Sequence, residues 1–160
     1  MDAEAQNPLA VVTIGGSELI HNSQTGTQRE QVRASRRVAR VVITLIQEGY
    51  RVVLVHGNGP QVSRELIRSE EASTKLPPRS LEVCIAATQS TMGELLVREL
   101  RNLLRREQLE HDVLALHTQV LVSREDPAFN TPDKAIGPTY TEWRAKELMK
   151  TTKWNFVEDG

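Results

Sequence analysis

Only one cysteine, Cys84, occurs in the 160 residues, which excludes an intramolecular disulfide and fits a reducing compartment. No apolar run approaches the length of about 18 residues needed to cross a bilayer. The opening MDAEAQNP is acidic and polar, unlike a signal or transit peptide. The cytoplasm is therefore the expected location. Charge of one sign is also missing: 20 Lys and Arg face 21 Asp and Glu. No overall field draws such a chain to nucleic acid or to an anionic membrane. The basic cluster RASRRVAR sits at helical spacing beside Val38, Val41 and Val42, and reads as the solvated face of an amphipathic helix. His21, His111 and His117 show no metal-ligand spacing with one another or with Cys84, so no metal site is assigned.

What is present is the material of one α/β domain. A chain of this length can bury about 70% of the surface that it exposes when unfolded. Short β-branched runs at LAVVTI (9–14) and RVVLVH (51–56) each stop at a glycine turn and read as strands covered by helices. DVLALHTQVLVS (112–123) reads as one or two further strands, and WNFV (154–157) as a last short one. Helical patterns occupy 29–48, with Gly49 as a stop, and 141–151. The strongest helix spans 80–106, where Leu81, Ile85, Thr88, Met92, Leu96, Leu100 and Leu103 repeat with a period of about 3.6 behind Ser80 as N-cap. EEASTKLPPRS between helices reads as a loop, because paired prolines continue neither element. Alternating strands and helices predict right-handed βαβ crossovers and a mainly parallel sheet sandwiched by helices.

Two stretches raise chemistry. HGNGP (56–60) ends one strand and opens a helix near Pro60, so Gly57, Asn58 and Gly59 stand where backbone N–H groups meet a helix N-terminus. Glycine there permits positive φ and lets a ligand approach the backbone. The stretch is neither a P-loop, which needs Gly-Lys-Ser/Thr, nor the dinucleotide fingerprint, which needs glycine where Val62 stands. IGGS (14–17) repeats the arrangement at the end of the first strand with Gly15, Gly16 and Ser17. Turns at the carboxyl ends of neighbouring parallel strands open onto one edge of the sheet, where α/β folds bind ligands. The pair predicts a small anionic ligand. His56 reads equally as a turn-packing residue or a ligand contact. A third stretch, DPAFNTPDKAIGPTY (126–140), is stiffened by three prolines and carries Lys134, which could neutralise a phosphoryl group.

Together these stretches resemble the carbamate kinases, a branch of the amino acid kinase superfamily. That family shows LGGNAL, THGNGPQVG, AATQG-x-x-G and DPAF-x-x-P-x-K-P-x-GP-x-Y. Here they stand as IGGSEL, VHGNGPQVS, AATQSTMG and DPAFNTPDKAIGPTY, in the same order. The resemblance implies phosphorylation of carbamate by ATP with Mg2+, reversibly, in a homodimer. It implies that Gly15, Gly16, Gly57, Asn58 and Gly59 cradle carbamate or carbamoyl phosphate while Lys134 stabilises the transferring group. Ser17 replaces a family asparagine, Glu18 a small residue and Ala135 a proline.

Members of that family are about twice as long, and their second half holds the nucleotide. Residues 1–160 therefore correspond to the acceptor-binding N-terminal half, without a nucleotide-binding half. Three expectations follow: a carbamate kinase-like phosphotransferase, a non-catalytic protein that holds carbamoyl phosphate or a partner kinase chain, or a remnant with uncovered apolar surface.

Overall fold

The computed structural model describes residues 7–20, 26–132, 134–152 and 154–158, so His21 lies outside the described residues. Two six-residue strands, β1 (Leu9–Ile14) and β2 (Arg51–His56), pair in parallel with Leu9 opposite Arg51 and Ile14 opposite His56. Between them run a single turn, α1 (Gly16–Leu19), and a long helix, α2 (Gln28–Gln47). After β2 come α3 (Gly59–Glu71) and α4 (Leu81–Arg106), and after a long irregular stretch α5 (Glu142–Thr151). The fold is α/β, built on a parallel sheet.

Local chemistry explains most boundaries. Thr27 caps α2 in a reciprocal box: its hydroxyl accepts from the Glu30 N–H, and the Glu30 carboxylate accepts from the Thr27 N–H at 2.7 Å. The helix stops where Gly49 takes φ +89°, a left-handed value that glycine adopts without a Cβ penalty. Ser80 does occupy the N-cap position of α4, but its side chain accepts no capping hydrogen bond. EEASTKLPPRS is only partly a loop, because α3 continues through Glu71 before the chain turns.

α2 and α4 lie against one face of the sheet. Ile14, Val52 and Leu54 point into two clusters, one around Leu19, Ala34, Met92 and Leu96, the other around Ala39, Val42 and Leu100. Each fully buried Leu or Val there contributes about 1.5–3 kcal/mol of transfer free energy. Arg33, Arg36, Arg37 and Arg40 of α2 are exposed, as expected of the basic cluster. One of them has a structural task. Arg36 Nε donates to the buried carboxylate of Glu99 at 2.7 Å, which joins α2 to α4 and gives that carboxylate the partner it needs out of water. The other face of the sheet carries exposed Leu9, Val11, Val53 and Val55, so among the described residues the helices cover one side only.

Two stretches expected to form strands, 112–123 and 154–157, do not. Residues 112–123 run back along α4 instead. Arg101 Nη2 donates to the Val113 carbonyl at 3.0 Å, Ala115 comes against Gly93, and the Thr118 N–H reaches Gln89 Oε1 at 3.4 Å. A strand exists only when a neighbouring strand accepts its backbone N–H and C=O groups, and a helix surface offers no such ladder. Leu114, Leu116, Val120 and Leu121 are left exposed. WNFV likewise has no strand beside it among the described residues. Its Phe156 ring packs edge-on against Tyr140 with centroids 5.7 Å apart.

Candidate functional site

Parallel pairing of β1 and β2 places both glycine turns at one edge of the sheet. They touch. The Gly57 N–H donates to the Ile14 carbonyl at 2.9 Å, and a Cβ built on Gly57 would lie 3.3 Å from the Gly16 backbone nitrogen. Gly16 is tighter still: a Cβ there would stand 2.9 Å from Gln61 Oε1 and Pro60 Cδ and 3.1 Å from the Gly59 nitrogen. Neither residue has a positive φ. Glycine suits these two positions because two backbones meet, and the positive φ that the sequence allows at Gly57 is not used.

Gly59 differs. A Cβ on it would meet nothing within 4 Å, so protein packing does not demand glycine there. Its bare backbone instead leaves the start of α3 uncovered. Pro60 has no N–H, and the Val62 N–H already donates to the Asn58 carbonyl at 2.9 Å. The first-turn N–H groups of Gly59 and Gln61 therefore have no intrahelical acceptor, the arrangement that suits an anion. Gly15, Ser17, Gly57 and Gly59 are exposed around this point, while Gly16 is buried beneath it.

Side chains lock the turns in place. Gln61, buried, donates from Nε2 to the Gly16 carbonyl at 3.1 Å and so ties α3 to the first turn. Asn58 points away from the open edge: its Nδ2 donates to Thr88 Oγ1 at 2.9 Å, and Thr88 donates onward to the Cys84 carbonyl at 2.8 Å. The asparagine thereby fastens the second turn to the AATQS stretch of α4, while its backbone begins α3 as N-cap. His56 Nδ1 lies 3.3 Å from the Gly57 carbonyl oxygen, a contact within the turn. Gln61 and Thr88 were missed as individuals, although both lie inside stretches that the sequence singles out.

Residues 8–145 match the amino acid kinase family. The chain belongs to that family. Within it, the chain is similar to the carbamate kinase of Pyrococcus horikoshii, 36% identical over 152 residues that cover 94% of this chain and 48% of that protein. It is 38% identical over 155 residues to a carbamate kinase-like protein of Escherichia coli, covering 95% of this chain and 49% of the other. Among solved structures, carbamate kinase from Giardia lamblia bound to AMP-PNP superposes with a TM-score of 0.85 at 28% identity, covering 98% of this chain and 49% of that one. The chain thus spans about half the length of the relatives it matches. No helix among the described residues is long and apolar enough to cross a membrane.

The family's third expected site component, Lys134, is exposed, and among the described residues no hydrogen bond or ion pair joins it to the glycine turns. Its loop is nevertheless anchored. Gly137, at φ +111°, would bring a Cβ 3.9 Å from Leu66 Cδ1 on α3. Three residues further on, Tyr140 Oη donates to Glu70 Oε2 at 2.9 Å, and Arg144 of α5 donates from Nε to Glu70 Oε1 at 2.9 Å. A second donor, Arg144 Nη2, reaches the same oxygen. Nothing in the sequence marks Glu70, which stands in a stretch read as loop.

Burial, and then the hydrogen bond to Glu70, push the Tyr140 hydroxyl up to about 12, and the same carboxylate raises Arg144 above its ordinary value. An unfolded tyrosine ionises near 10. The contribution of neutral Tyr140 to stability is therefore complete below about pH 10 and is lost as pH climbs to about 12. The chain has two tyrosines, Tyr50 and Tyr140. Tyrosinate absorbance is expected to include a step well above pH 10 that is absent from Tyr140→Phe; loss of Tyr140 leaving the high-pH absorbance unchanged would contradict the buried hydrogen bond.

Proposed function

We propose that the paired glycine turns and the N-terminus of α3 bind carbamate or carbamoyl phosphate, and that the chain is the acceptor-binding half of a carbamate kinase-like phosphotransferase. The observation that carries this reading is the bare N-terminus of α3, open above Gly59 and set directly against the first turn through Gly16 and Gly57. Backbone donors held by packing need no reorganisation when charge arrives, which is what phosphoryl transfer asks of a protein. In the reaction a carbamate oxygen forms a bond to the γ-phosphorus of ATP as the bond to ADP breaks. Gly15, Gly16, Ser17, Gly57, Asn58 and Gly59 form the receiving edge, and Lys134 offsets negative charge on the group in transit.

The residues present fit the phosphoryl end of that chemistry: two first-turn N–H groups without an intrahelical acceptor, at a helix start where a Cβ on Gly59 would meet nothing, suit a phosphate. ATP supplies the phosphoryl group and Mg2+ shields its charge; the adenosine and the metal are held, in this reading, by a second half like that of the full-length relatives. A cytoplasmic homodimer belongs to the same reading.

The test is a calorimetric titration of the purified chain with carbamoyl phosphate, followed by ADP and Mg2+ with detection of ATP. Binding with a dissociation constant of about 1 mM or tighter is expected. No heat and no protection against thermal unfolding at tens of millimolar would remove the site. ATP formation would show that copies of this chain also hold the nucleotide, whereas binding alone leaves the chain as a carbamoyl phosphate-holding half.

A further inference from the structure

We propose that Glu70 is a positioning residue for Lys134, holding the loop 126–140 on α3 so that one helix carries the phosphate turn at its start and the lysine's anchor at its end. The proposal rests on the preceding reading, in which Lys134 serves the ligand.

Three observations support it. First, Glu70 collects three donors from two residues 70 and 74 positions away, Tyr140 at the end of the loop and Arg144 in the next helix. Charge-assisted hydrogen bonds of this kind are about twice as strong as neutral ones. Second, the Glu70 contacts are backed by packing, since the Tyr140 ring meets Phe156 edge-on, and the loop passes α3 at Gly137, where an added Cβ would stand 3.9 Å from Leu66 Cδ1. Third, the reach is right. Leu66 lies seven residues beyond Gly59, about 10 Å along the helix axis. Lys134 is three residues from Gly137, and three extended residues also span about 10 Å. A loop held by Tyr140 and passing Leu66 at Gly137 can therefore extend Lys134 as far as the glycine turns.

Glu70→Gln retains the size of the side chain but removes its charge and one acceptor. Two measurements on the full chain test the proposal. In limited trypsin digestion, Lys134 is followed by Ala135 and can be cut. Cleavage after Lys134 is expected to accelerate about tenfold in Glu70→Gln, with cleavage after Arg105 in α4 unchanged. In calorimetry with carbamoyl phosphate, Glu70→Gln is expected to weaken binding about fivefold to tenfold, and to add nothing in a Lys134→Ala background. That non-additivity is the signature of action through Lys134, and a general loss of structure would not produce it. Unchanged cleavage after Lys134, or a Glu70→Gln loss that persists in the absence of Lys134, would overturn the proposal. Should Lys134→Ala bind like the wild type, Lys134 is not at the ligand and the positioning role falls with it. Should Lys134→Ala weaken binding while Glu70→Gln does not, only the role of Glu70 falls.

Discussion

Gly16→Ala is expected to lower stability and ligand affinity together. The added methyl would sit 2.9 Å from Pro60 Cδ and Gln61 Oε1 and 3.1 Å from the Gly59 backbone nitrogen. A flexible side-chain end could swing clear, but Gln61 is buried and its amide already holds the Gly16 carbonyl. A proline ring and a helix backbone give less. The turns must move apart, at a cost of about 1–3 kcal/mol for overpacking, with a fall of several degrees in melting temperature. Displacing the donors by even part of an ångström also misaligns the site, so carbamoyl phosphate affinity is expected to drop by more than about tenfold. Gly59→Ala separates the two effects. Its methyl meets nothing within 4 Å, so the melting temperature should hold while the methyl covers the open helix start and weakens binding. Thermal melts and calorimetry on both variants decide the matter. An unchanged melt for Gly16→Ala would contradict the close approach of the turns. Wild-type affinity in Gly59→Ala would place the ligand elsewhere.

Lys134→Ala is the complementary case, a change of chemistry without a change of fold. Lys134 is exposed in a loop, so its loss is expected to alter stability by no more than about 0.5 kcal/mol. Its charge, though, is the one the reading brings to the phosphoryl group. Removing a preorganised electrostatic partner costs about 100-fold or more in turnover where turnover occurs. In the isolated chain, the expected loss is about tenfold in carbamoyl phosphate affinity, shrinking as salt screens the interaction. Lys134→Arg should recover part of the binding, since the charge returns in a different shape. Equal affinity for the wild type and Lys134→Ala across a salt series would remove the lysine from the site.

The departures from the family pattern bear on both experiments. Ser17 and Glu18 lie in α1 at the first turn with exposed side chains, so in the proposed reading they border the ligand. Substituting Ala135 for the family proline leaves the bond after Lys134 open to trypsin, which makes the loop's docking measurable.

What the sequence determined by itself was what depends on near neighbours in the chain. The β-branched runs of β1 and β2, the stop at Gly49 and the apolar period of α4 all follow from local sterics and patterning, and each stands within a residue or two of its expected place. The family was legible too, because IGGSEL, HGNGPQVS, AATQSTMG and DPAFNTPDKAIGPTY keep their order and residue types. Tertiary structure decided the rest. Residues 112–123 have the pattern of a strand, yet a strand is a property of two chain segments, and this one came to lie on α4. The motif leaves the direction of Asn58 open; packing turned its amide into α4, toward Thr88. Glycine at 57, which the sequence reads as permitting positive φ, and glycine at 16 both answer a need for room, visible only when the two turns are set side by side. Glu70 carries no local signal at all. Its meaning comes from Tyr140 and Arg144, which folding alone brings to it across 70 residues or more of chain.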